Sequence, residues 1–113
     1  MDFRGQNEKS NDEFSFVEDE WSGETYHFTM KGQVSAREAS HMEHKLMRAI
    51  EAGGRRIIIN MCFVNIFSSA GIRVVLAMYK KLKELGGTLQ IENPSENVRN
   101  VIGMTALDEL LLK

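Results

Sequence analysis

Two adjacent serines, Ser68-Ser69, stand where the sequence changes period. An apolar run ends in Ile66-Phe67 just before them. After Ala70-Gly71, the residues Ile72, Val75, Leu76, Tyr79, Leu82 and Leu85 recur at helical spacing. Lys80, Lys81, Lys83 and Glu84 fall largely on the opposite face, with the lysines late, where positive charge suits the negative end of the helix dipole. The serines therefore sit at a helix N-terminus, beside amides that tolerate negative charge. Two chemistries are open to a hydroxyl there. Ser68 or Ser69 could cap the helix, its oxygen accepting a bond from an otherwise unpaired amide. Alternatively, one hydroxyl is a phosphoacceptor, and a phosphate would bring about two negative charges to a loop beside a partner surface.

Other chemistry has less support. No Ser-His-Asp or paired-carboxylate arrangement is visible from spacing, and no glycine-rich phosphate loop has the usual form, which argues against an enzyme. Gly86-Gly87 reads as a helix stop. His41 and His44 lie three apart on a predicted helix; that spacing suits a metal, but without an evident third ligand a solvated face is the better reading. A lone cysteine, Cys62, excludes an internal disulfide and fits a reducing compartment; at the end of an apolar run it is expected to be a small buried hydrophobe. No cofactor is implied. Fourteen basic against sixteen acidic residues leave a net charge of −2, so nothing in the bulk charge calls for nucleic acid. No apolar stretch is long enough to span a bilayer, and no signal core opens the chain, so a cytoplasmic location with no membrane contact is expected.

The elements that must position the serines follow from pattern. With 113 residues, 42% of them hydrophobic, one domain is expected. Residues 1–13 read as a flexible polar leader and 14–113 as the domain. Phe14 to Trp21 and Glu24 to Met30 alternate as two strands of a hairpin around Ser22-Gly23. Lys31-Gly32-Gln33-Val34-Ser35 reads as a loop, and Ser35 with Glu38 matches a capping box that opens a helix near Ala36. Ala39, Met42, Leu46, Ala49 and Ile50 form that helix's apolar stripe. Ile57-Ile58-Ile59-Asn60-Met61 suits a strand covered on both faces. After the long helix come a strand over Thr88 to Glu92, a short helix over Glu96 to Ile102, and a last one over Ala106 to Leu112 capped by Thr105. The order is β-β-α-β-α-β-α plus a short final helix: an α/β domain with a mostly parallel, mixed sheet.

This order and three motifs resemble the STAS domain family, whose regulatory members are anti-sigma-factor antagonists. The sharpest match runs from Val64 to Leu76, where the family shows a Ser-Ser-Ala-Gly-Leu-Arg form and this chain has Ser68-Ser69-Ala70-Gly71-Ile72-Arg73. The others are Leu82-Lys83-Glu84-Leu85-Gly86-Gly87-Thr88-Leu89 and the stretch Asn97 to Leu107. The resemblance implies a small α/β layer with helices packed mainly on one face. It implies partner switching: a GHKL-type serine kinase that is also the anti-sigma factor binds the protein and phosphorylates it, and a PP2C-type phosphatase reverses the change. Aligned on Gly71, the acceptor is Ser69. The partner is expected against Gly32, Gln33, Ser35, Phe67, Ser68, Ala70, Gly71 and Arg73, although Phe67 also reads as core because it continues the strand. Arg73 could contact the partner or a Ser69 phosphate. Two family features are replaced here: Gly-Glu-Leu-Asp stands as Gly32-Gln33-Val34-Ser35, and Ser68 takes the place of an acidic residue. The alternative is a STAS scaffold or transporter-associated module in which Ser69 is only a cap.

Overall fold

A computed structural model describes residues 13–103. The elements are β1 (Ser15–Ser22), β2 (Thr25–Val34), α1 (Ala36–Glu51), β3 (Arg56–Phe67), α2 (Ser69–Glu84), β4 (Thr88–Glu92) and α3 (Glu96–Gly103). The expected order is the observed one. The leader, apart from Glu13, lies outside the described residues, as do the final helix over 106–112, its Thr105 cap and the end of the third motif from Met104.

The four strands form one mixed sheet in the order β1-β2-β3-β4. The β1–β2 pair is an antiparallel hairpin, whereas β2–β3 and β3–β4 are parallel and joined through α1 and α2. Alternation decides what is buried. Phe16, Tyr26, Phe28, Met30, Ile57, Ile59, Met61, Leu89 and Ile91 point into the core beneath the helices. Their neighbours Val17, His27, Thr29, Ile58, Gln90 and Glu92 face the other way and stay half-buried or exposed. Among the described residues no helix covers the second face of the isoleucine run, where Ile58 is half-buried.

Helix α1 starts at its capping box. The Ser35 backbone N–H donates to Glu38 Oε1 at 3.3 Å, and the Ser35 hydroxyl donates to the same oxygen. The Ser35 hydroxyl first, then the Glu38 backbone N–H and the Ser35 N–H, hold the Glu38 carboxyl below its ordinary pKa of 4.5. The predicted stripe Ala39, Met42, Leu46, Ala49 and Ile50 is buried as a set. Along α2 the buried positions are Gly71, Val75, Met78 and Leu82, and Leu85, just past the last turn, is 44% exposed. Helix α3 buries Val98 and Ile102, and Val101 is half-buried. Where β3 outruns β4, α3 closes its edge: Ser95 Oγ donates to the Val64 carbonyl at 2.7 Å, and the Asn97 amide donates to the Asn65 carbonyl.

Two expectations fail in the middle of the sheet, for one reason. The stretch expected as a loop, Lys31 to Ser35, is strand as far as Val34, because Gly32 to Val34 pair with Val64 to Phe67 on β3. Gly32 has a φ of 91° at an irregularity in that ladder, a conformation that suits glycine. Opposite it, β3 carries two extra residues. Thr29 pairs with Asn60 but Lys31 with Phe63, and Gly32 pairs with Val64 but Gln33 with Ile66. Each such bulge inverts the in-and-out phase of the strand. The first turns Phe63 outward and the second returns Phe67 to the core. Cys62 falls at the first bulge, where its N–H bonds Asn60 Oδ1 at 3.0 Å, and it is exposed rather than buried.

Candidate functional site

The pairing of β2 with β3 brings two helix starts together. Val34 lies opposite Phe67 at the end of the ladder, and the Ser68 N–H donates to the Val34 carbonyl at 3.0 Å. Ser35 opens α1 and Ser68 opens α2 from this one end of the two central strands.

The two serines of the motif divide their roles. Ser68 is the cap: its backbone is extended and its Oγ accepts from the Gly71 N–H at 3.4 Å. Ser69 is the first helical residue and is exposed. Among the described residues its hydroxyl has no hydrogen-bond partner. Arg73 is four residues further on and so on the same face of α2; it too is exposed and without a bonding partner among the described residues. The first turn of α2 contains no acidic residue, so nothing there offsets the positive end of its dipole.

Gly71 lets the helix start sit this low on the sheet. A Cβ at that position would stand 2.7 Å from Phe67 Cε1 and 3.2 Å from Val34 Cγ1. Phe67 is 3% exposed and forms the floor beneath the motif. Of the residues expected to meet a partner, Gln33, Ser35 and Arg73 are exposed beside Ser69, and Ser68 and Ala70 are half-buried. Gly32, Phe67 and Gly71 are buried and shape the surface from below. A groove between α1 and α2 continues the same face, lined by Ala36, Ala39, Glu43, Arg73 and Ala77 among others. A further hollow, between Trp21, Tyr26, Lys45 and Arg48, borders the far half of α1 and holds none of the motif's residues.

His41 and His44 are exposed on α1, and His41 meets the Phe14 ring edge-on at 5.8 Å between centroids. Among the described residues no group of three or more His, Cys, Asp or Glu side chains could hold a metal ion. No helix among them is long and apolar enough to cross a membrane. Two exposed apolar residues escaped the sequence reading: Phe63, with the Lys31 ammonium 5.5 Å from its ring centre, and Ile66. Strict alternation would bury Phe63; only a bulge exposes it, and nothing in local composition announces a bulge.

A mixed four-stranded sheet with three helices in the order β-β-α-β-α-β-α is a STAS-like fold. The STAS domain family model matches residues 17–113, and the chain belongs to that family. BtrV of Bordetella bronchiseptica, named a candidate anti-sigma factor antagonist, is 32% identical over 72 residues, which span 64% of this chain and 62% of BtrV. The anti-sigma factor antagonist SpoIIAA in its unphosphorylated form superposes with a TM-score of 0.78 at 23% identity, over 86% of this chain and 85% of that one. The phosphorylated form of SpoIIAA, described as a Bacillus cell fate determinant, superposes with a TM-score of 0.72 at 21% identity, over 86% and 88% of the two chains.

Proposed function

We propose that this chain is an anti-sigma-factor antagonist, working in the cytoplasm by partner switching. Its unmodified form docks the end of the sheet carrying Ser35, Ser68 and Ser69 against an anti-sigma factor that is a GHKL-type serine kinase. That kinase phosphorylates Ser69, and a PP2C-type phosphatase reverses the reaction. The chain itself is a regulator and not an enzyme.

The observation that carries the proposal is the division of labour between the serines. Capping by Ser68 leaves the Ser69 hydroxyl exposed and uncommitted at the first helical position. The likeness to SpoIIAA, a protein known in a phosphorylated form, supports the same reading. The physics of the switch is direct. A neutral hydroxyl can pack against a partner, while a phosphate adds about two charges that must be desolvated or paired. The helix dipole and Arg73 would favour the phosphate on the free protein, which deepens the difference between free and bound states.

The test is binding to a candidate anti-sigma kinase by variants of one residue. Ser69→Ala is expected to bind as the unmodified chain does, constitutively, and Ser69→Asp to bind at least tenfold more weakly. Equal binding by the two would overturn the switch and leave a STAS scaffold or transporter-associated module as the reading.

A further inference from the structure

The open face of the sheet carries a cluster of titratable groups that the switch does not use. On β1, Glu18 pairs with Phe28 and Glu20 with His27, so Asp19 is an extra residue in the ladder. A bulge re-aims the side chain it carries. Here Asp19 Oδ2 accepts from the Thr29 hydroxyl and stands 3.0 Å from His27 Nδ1. The other ring nitrogen of His27, Nε2, is 2.7 Å from Oε1 of Glu92 on β4. One imidazole thus touches the carboxylates of both edge strands from its place on β2.

The two contacts favour one protonation state. A neutral imidazole has one N–H and one lone pair, so either tautomer would set a lone pair against a carboxylate oxygen. Only the imidazolium donates at both ends. We propose that protonated His27 is a proton-dependent clasp, tying β1 and β4 across the open face and releasing them when it loses its proton.

The charges around it agree. From β1, Glu20 pairs directly with His27 and adds a second acidic residue beside Asp19. Along β2 the flanking outward residues are Thr25 and Thr29, with Lys31 beyond. On β3, Ile58 is opposite His27; Arg56, diagonal to it, donates to Thr25 Oγ1 at 3.4 Å. From β4, Gln90 and Glu92 face the same side. Among the described residues three carboxylates therefore stand against two cations, and neither cation touches the ring. Burial is the largest single influence on the ring and pulls its pKa down; the hydrogen bonds and charges of Glu92 and Asp19 together outweigh it and leave the pKa raised above 6.5. A raised pKa means that the clasp's stabilisation is full below pH 6.5 and is lost as pH rises through the folded-state value.

The test is an NMR titration of the histidine rings in the intact chain, with signals assigned through His41→Gln and His44→Gln. The His27 midpoint is expected above 6.5 and should fall in both Asp19→Asn and Glu92→Gln. His27→Gln should lower Tm by about 2–5 °C at mildly acidic pH, a penalty that vanishes on the alkaline side. A midpoint at or below 6.5 in the native chain, no response to either carboxylate substitution, or a Tm penalty unchanged by pH would each overturn the clasp. The titration stands even where a variant folds poorly, because its first reading is made on the native chain.

Discussion

At the scale of single residues, the serine pair makes different predictions for two substitutions of the same kind. Ser68→Ala removes the acceptor for the Gly71 amide and should cost about 1 kcal/mol in urea unfolding. Ser69→Ala removes an exposed hydroxyl with no partner among the described residues and should change stability by no more than about 0.5 kcal/mol. Ser69→Ala should therefore be well folded, which makes it a clean control for the proposed modification. Gly71→Ala tests the packing beneath. Its methyl would meet the Phe67 ring and Val34 at once, and an overpacked core of this sort costs about 1–3 kcal/mol. Because the motif rests on that contact, Gly71→Ala should weaken partner binding as well, whereas Ser68→Ala should act mainly on stability.

At the scale of elements, each helix is held by one stripe. Leu46 is fully buried at the centre of α1's stripe, and Leu46→Ala should cost about 2–5 kcal/mol by urea unfolding. That stripe was legible in the sequence because helical period and capping chemistry are local: Ser35, Glu38, Ala39, Met42 and Leu46 announce the helix without reference to anything distant. The serines' place at a helix start was legible for the same reason. Which serine caps was not, since Ser68 and Ser69 are equivalent in type and only the backbone geometry assigns the bond to Ser68. The extension of β2 through Gly32 to Val34, the outward turn of Phe63 and the exposure of Cys62 were not legible either. They follow from register between strands about thirty residues apart, and a one-residue offset exchanges the two faces of a strand. The His27 clasp is hidden more deeply still, because its partners come from β1 and from β4, 65 residues away in sequence.

At the scale of the whole molecule, stability should be limited on the two sides of neutrality by different groups. Glu38, with its pKa lowered from 4.5 by the Ser35 bonds, stabilises the fold above that value and loses its contribution as pH falls through the lowered one. His27 behaves in the opposite sense and loses its contribution as pH rises above 6.5. Thermal melts across pH should show Glu38→Gln reducing the acid-side slope slightly and His27→Gln reducing the alkaline-side slope, each leaving the other side in place. The two devices serve different regions. The capping box fixes the start of α1 beside Ser69, while the clasp holds the open face of the sheet. In the proposed switch, the surface at the starts of α1 and α2 keeps its shape and the exposed Ser69 hydroxyl is the variable part. The central claim is that this hydroxyl is modified. Intact mass settles it most directly, measured after incubation with ATP and each GHKL-type kinase of the source organism, with Ser69→Ala run alongside. The expected result is one added phosphate on the native chain and none on the variant; no gain with any kinase, or an equal gain on the variant, would contradict it.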